Sequence, residues 1–319
     1  FGDAQANLGR LPEAAARYLE AASLIGGRVT DNAEVRQLSL RAGELYIKAG
    51  LLGEGWRVMR ELLAAFDVKV PTSPIQAMLG ANWRRARFVL RKLDVDRPAA
   101  PSSPEALVRL DVLWTASTSL AMVNHTLSDA FRTMVLAEFA KLGPSARCRA
   151  LAIEVAMETH VGGVFDSSAK RLLDQCERLS KRTQNRYDEA WRLLAVATVE
   201  FTHGRWRACA QACEQADTIF RDECTGAAWE RSTVAVYHWF ALAWLGELAQ
   251  LHERLDDFIS DAEAREDVFG LVEAYTGQVV LAWLARDQVD LARERAEAGM
   301  ARATAQETRG DRRWPEQSY

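Results

Sequence analysis

The chain has 319 residues and a mass of 35.6 kDa, with 49% hydrophobic and 26% charged residues; this is ample for a large core and excludes disorder for the bulk of it. A formal net charge of −4 and a pI near 5.9 argue against a dedicated nucleic-acid binder, whose phosphate contacts need a basic surface. The five cysteines, Cys148, Cys176, Cys209, Cys213 and Cys224, are odd in number and lack zinc-ribbon or knottin spacing, so they read as reduced thiols of a cytoplasmic protein.

No apolar run approaches the roughly 18 residues of a membrane span; the richest is Val236–Leu245. The first residue, Phe1, falls inside a repeat unit, so the chain is expected to be a fragment of a longer protein.

In chain order, residues 2–22 read as a helix end, a turn at Gly9-Arg10 and a second helix carrying Ala14, Tyr18 and Ala21. Small residues at these places let paired helices approach closely, as in tetratricopeptide hairpins. Asp31-Asn-Ala-Glu34 offers a capping box for the next helix. In that unit Gly43, Tyr46, Gly50, Gly55, Met59 and Leu62 repeat the scheme. Gly9 and Gly50 are 41 residues apart; Gly163, Gly204, Gly246 and Asp287 continue at steps of 41, 42 and 41. That period exceeds the tetratricopeptide length of about 34 and is shared by armadillo and HEAT-like units, which remain the alternative.

Prolines interrupt this rhythm at 71–74 and 98–104 and bracket a single helix over 75–93, with Ser73 and Ser103 as N-caps. This inserted helix is expected to lie across the stack or deform it, and to project from its regular rhythm. Further helices are expected at Glu105–Val123, Leu127–Leu142, from Ser145 to a Gly162-Gly163 turn, and at Ser167–Arg182, Tyr187–Thr202, Trp206–Phe220, Ala228–Leu245, Leu248–Ala262, Val268–Ala285 and Val289–Ala305. In the Ser145 helix, Cys148, Leu151, Ala152, Val155, Ala156 and Thr159 form an amphipathic stripe. Trp206, Cys209, Cys213, Ala216 and Phe220 form another, which places Trp206 in the core, and most of the ten tryptophans lie on such stripes. The pattern predicts an all-α fold: a solenoid of about seven stacked helical hairpins in a TPR-like, right-handed superhelix over residues 1–305, followed by a polar tail over 306–319.

Chemistry is sparse. There is no phosphate loop, zinc-protease helix, nucleophile elbow or kinase signature, so no catalytic residue, cofactor or metal is expected. Cys209 and Cys213, four apart near His203, coincide with small core positions and read as buried structural thiols. The helix over 75–93 has no Asp or Glu but carries Arg84, Arg85, Arg87, Arg91 and Lys92. These cations form either a docking strip for an acidic partner or phosphate, or a solvated face opposite Ile75, Met78, Leu79, Ala86, Val89, Leu90 and Leu93. A second candidate is the connection Asp222–Glu230, where Thr225 would cap the next helix and free N–H groups at Thr225 and Gly226, with Arg221 or Arg231, would receive an anion; packing of Trp229 under the connection is the structural alternative.

Leu8-Gly-Arg-Leu-Pro-Glu-Ala-Ala, Gly204-Arg-Trp-Arg-Ala-Cys and Cys224-Thr-Gly-Ala-Ala-Trp-Glu230, in this order around the proline-bracketed helix, resemble the C-terminal helical-repeat region of large bacterial serine/threonine protein kinases. In those proteins a kinase domain and a STAND-like ATPase module precede a tetratricopeptide-like array. The resemblance implies a regulatory protein-interaction or sensor scaffold that engages a protein, a peptide or other domains of its own chain, with neither kinase nor ATPase activity in this segment. The alternative is a small-molecule sensor, as in the arrays of STAND transcription activators. An enclosed pocket with convergent polar groups favours the sensor; an open charged groove favours the partner.

Overall fold

A computed structural model describes all residues except 8–9, 91–94, 101, 122–123, 162–165, 225–226, 265–266 and 310–319. Among the described residues there is no strand, and sixteen α-helices follow one another. They are α1 (Gly2–Asn7), α2 (Leu11–Ile25), α3 (Ala33–Lys48), α4 (Leu52–Ala65), α5 (Pro74–Leu90), α6 (Pro104–Leu120), α7 (His125–Ala137) and α8 (Pro144–Val161). Then come α9 (Asp166–Thr183), α10 (Arg186–Thr202), α11 (Trp206–Asp222), α12 (Ala228–Leu245), α13 (Leu248–Ala264), α14 (Val268–Tyr275), α15 (Leu281–Leu284) and α16 (Val289–Arg309). Neighbours pack as hairpins α1–α2, α3–α4, α6–α7, α8–α9, α10–α11 and α12–α13, and α16 folds back on α14 and α15.

The hairpin turns fall where the period places them. Gly50, Gly204 and Gly246 have φ of +77°, +71° and +74°, and Asp287 has +59°. This left-handed geometry reverses the chain between antiparallel helices and is easiest for glycine. The expected turns at Gly9 and Gly162-Gly163 involve residues outside those described. In the α3–α4 hairpin the small residues have a steric role: a Cβ on Gly55 would lie 2.5 Å from Ile47 Cγ1 and 2.9 Å from its backbone N.

Several expectations need correction. Asn32, not Asp31, caps α3; its side chain accepts from the N–H groups of Glu34 and Val35. Ser103 and Ser73 do accept from Ala106 N and Gln76 N, each at 3.2 Å. The helix expected over 268–285 breaks at Thr276-Gly277, where Thr276 is extended and Gly277 has φ +72°. A 3₁₀ turn, Gly277–Val280, and the short α15 complete that arm. The last helix crosses the expected boundary at residue 305 and ends at Arg309.

One large core runs from Ile47 to Ala241, a second from Trp239 to Ala292, and a small one joins α2 and α3 around Ala14, Tyr18 and Ala42. Of the nine described tryptophans only Trp191, Trp239 and Trp283 are buried. Trp206 is half-buried, not in the core as its stripe suggested: its ring stacks on Trp244 at 5.5 Å and 12°, and Trp244 is itself exposed.

Candidate functional site

The inserted helix does not project. Instead, α5 lies along α7, with Ala77, Ala81 and Phe88 buried in the contact and Phe88 edge-on to Phe139 at 5.5 Å. Two of the five cations go into this contact. Arg84 donates from Nε to Thr133 Oγ1 (3.1 Å) and from Nη2 to Ala130 O (3.2 Å). Arg85 donates from Nε to Glu154 Oε1 (3.0 Å) and from Nη2 to Asp129 Oδ1 (2.6 Å). Arg87 is exposed, and Arg91 and Lys92 lie outside the described residues.

The helix is therefore turned over relative to both readings of its cationic strip. Ile75, Met78, Leu79, Trp83 and Leu90 are 70, 54, 66, 65 and 84% exposed. Ile75, Leu79, Trp83 and Leu90 share the face opposite Ala77, Ala81, Arg84 and Phe88. The physical reason is supplied from far along the chain. The carboxylates of Asp129 on α7 and Glu154 on α8 draw the Arg85 guanidinium inward, while the two alanines allow α5 close to α7.

Around these contacts lies a buried ion network. Arg132 pairs with both Asp129 and Glu154; the Glu154 side chain is fully buried and that of Arg132 is 3% exposed. Burial holds the Arg132 guanidinium down to about 10, against the pull of Asp129. Glu158, one turn beyond Glu154, is 1% exposed, and burial pushes its carboxyl above the usual range. The stripe of Cys148, Leu151 and Val155 is buried as expected, but α8 is not amphipathic: Arg147, Glu154 and Glu158 are buried too. Arg147 fixes the proline-rich segment to the stack, donating to the carbonyls of Val95, Arg97, Phe139 and Ala140.

Beside the network a cavity of about 180 Å³ opens between α6, α7, α8, α10 and α12. Each helix contributes one stripe at helical spacing. From α7 come His125, Ser128, Asp129 and Arg132, the polar wall; from α8 come Ala152, Ile153, Ala156 and Met157, whose short alanines leave the space open. From α10 come Trp191, Leu194, Ala195 and Thr198, and from α12 Trp229, Thr233 and Tyr237. Trp191 and Trp229 stand 6.2 Å apart at 32° and form an aromatic part of the lining.

At the second candidate, Thr225 and Gly226 lie outside the described residues. The described cap of α12 is Ala227, which makes no side-chain cap hydrogen bond. Arg231 is held by Asp217 (Nε–Oδ1 2.9 Å), and Arg221 by Asp222 and Asp217. A carboxylate of the chain already occupies the first turn: Glu230 is buried and accepts from the Tyr187 hydroxyl. Cys209 and Cys213 are buried, and among the described residues no group of three His, Cys, Asp or Glu side chains is placed to hold a metal. Buried Cys148 and Cys176 have their sulfurs 3.5 Å apart.

The sequence reading missed Asp129, Arg132, Arg147, Glu154 and the cavity. Charges at 147, 154 and 158 within a helix read as a core stripe were the available signal, since a helix with charge on several sides has no purely solvated face. No protein family, no curated protein and no solved structure matches the chain.

Proposed function

We propose that the chain is a non-catalytic sensor scaffold that takes a small molecule in the cavity of α6, α7, α8, α10 and α12 and reports its presence to a protein partner. The observation that carries this reading is the cavity itself, where a polar stripe from α7 is joined by aromatic and aliphatic residues from α10 and α12. A few polar groups set in an apolar lining are the usual make-up of small-molecule sites, and about 180 Å³ lies below the roughly 300–1,000 Å³ of drug-sized ones. A compact ligand suits it; a peptide does not.

The output side of the reading rests on α5. Asp129 lines the cavity and also holds Arg85 of α5, so a ligand at that carboxylate acts on the contact that seats the helix. The outward face of α5, with Ile75, Leu79, Trp83 and Leu90 exposed, offers apolar surface to a protein partner. A regulatory place in a signalling kinase with a STAND-like ATPase agrees with this division of labour, and the segments quoted above are its support.

The test is a thermal-shift screen of compact metabolites against the chain, with Ala156→Phe as the control that fills the cavity. A ligand at a hundred times its Kd is expected to stabilise the native state by about 2.7 kcal/mol, and Ala156→Phe to abolish the shift. A screen in which nothing shifts the midpoint, or in which Ala156→Phe responds like the wild type, would overturn the reading.

A further inference from the structure

The hydrogen-bonding polarity of the cavity restricts what enters it. A serine or threonine hydroxyl has one proton to give and two lone pairs to receive. In this lining four hydroxyl protons are already committed, while among the described residues the buried Trp191 indole N–H has no hydrogen-bond partner. Thr118 Oγ1 donates to Trp114 O (3.1 Å), Ser128 Oγ to Ser117 O (2.8 Å), Thr198 Oγ1 to Ala195 O (2.8 Å) and Thr233 Oγ1 to Trp229 O (3.0 Å). Lone pairs are what these four hydroxyls have left.

Asp129 adds to this bias. Arg85 and Arg132 both bond its Oδ1, and among the described residues no hydrogen bond reaches Oδ2. Among the described residues the one arginine or lysine in the lining, Arg132, is 3% exposed and already faces Asp129 and Glu154, so it has little to offer an anionic ligand. The lining also holds Trp191, Trp229 and Tyr237, aromatic surface for the body of an organic ligand.

We propose that the cavity selects a small organic ammonium ion, an amine with a compact apolar or aromatic body, with its N–H groups on Asp129 and the hydroxyl lone pairs of α6 and α10 and its body against Trp191 and Trp229. This rests on the cavity being a ligand site, and it names the ligand's chemical class.

Three probes of one shape test it: 2-phenylethylamine, charged at neutral pH; 2-phenylethanol, neutral; and phenylacetate, anionic. Binding to the chain is read by calorimetry and by tryptophan fluorescence at up to millimolar concentration. The amine is expected to bind about ten- to a hundredfold more tightly than the alcohol, the difference made by charge-assisted hydrogen bonds, and phenylacetate to bind no better than the alcohol. Asp129→Asn is expected to remove the preference. Because that change also touches Arg85 and Arg132, Thr198→Val serves as a second variant that removes lone pairs without disturbing a charge, and it should weaken the amine more than the alcohol. Alcohol or phenylacetate binding as tightly as the amine, or an amine preference unaltered in both variants, would overturn the ammonium assignment and leave the cavity a ligand site. Failure of all three probes to bind would overturn the assignment, while a thermal-shift response to other compact compounds that Ala156→Phe abolishes would still uphold the site.

Discussion

Replacing Arg85 by alanine asks whether the arginines of α5 are structural or a surface strip. The Glu154 side chain is fully buried and that of Arg85 is 16% exposed, with Nε–Oε1 at 3.0 Å. Arg85 also shares Asp129 with Arg132, so the variant leaves two carboxylates on one guanidinium. Removing one partner of a buried ion pair costs about 3–5 kcal/mol, because the remaining charge stays desolvated. Arg132 still pairs with both carboxylates, which places the expected loss near the lower end, about 3 kcal/mol.

Arg87→Ala, on the exposed side of the same helix, is the matched control and should stay within about 0.5 kcal/mol of wild type. Arg85→Met combined with Glu154→Gln removes both charges and should recover much of the loss. The assay is urea unfolding followed together by tryptophan fluorescence and far-UV circular dichroism, since stacked repeats unfold as a unit only while their interfaces stay coupled. If Arg85→Ala and Arg87→Ala unfolded at the same urea concentration, the pairs of Arg85 would carry no weight, and Arg85 would return to being a surface cation.

Two further outcomes follow from burial. His238 is 4% exposed, and burial, with Arg254 adding to it, lowers its pKa from 6.5 to about 4; the unfolded chain therefore binds the extra proton first, and stability should fall as pH drops from about 6.5 to 4, by up to about 3 kcal/mol. His238→Gln should flatten that limb of a stability–pH curve, and parallel curves for the two proteins would exclude the histidine as its cause. Trp206→Ala should cost about 2 kcal/mol, less than the 3–5 of a fully buried ring, because Trp206 is half-buried against Trp244; a loss above 4 kcal/mol in the same urea assay would return it to the core.

What the sequence made legible were features decided within a few residues. Gly50, Gly204, Gly246 and Asp287 mark turns because a left-handed residue is needed to reverse one helix onto the next. Ala14, Tyr18, Gly43, Gly55, Cys209 and Cys213 are buried because small or apolar residues three and four apart line a single face. The break at Thr276-Gly277 escaped this reading, since apolar residues continue across it and Gly277 looks like an ordinary interior glycine. The orientation of α5 escaped for a different reason: its apolar and cationic residues fit either face inward, and the choice is made by Asp129 and Glu154, 44 and 69 residues from Arg85. The cavity was least legible of all, because five helices each contribute two to four unremarkable side chains and the space exists only once the helices are packed together.

The position of α7 explains why the ion network and the cavity occur together. Its residues Phe131, Val135 and Leu136 are buried in the main core, Ala130 and Thr133 receive Arg84 of α5, and His125, Ser128, Asp129 and Arg132 line the cavity. A helix enclosed on several sides must satisfy any charge it carries from within the protein. Arg132 does so by crossing to Glu154, and Asp129 by taking Arg85 and Arg132 on one oxygen. That arrangement leaves the second oxygen of Asp129 without a described hydrogen-bond partner, on a residue that borders both the cavity and the seat of α5. Whatever engages that oxygen changes the electrostatic environment of Arg85. On the proposed reading, ligand binding at the cavity and the seating of α5 are coupled in both directions by linkage.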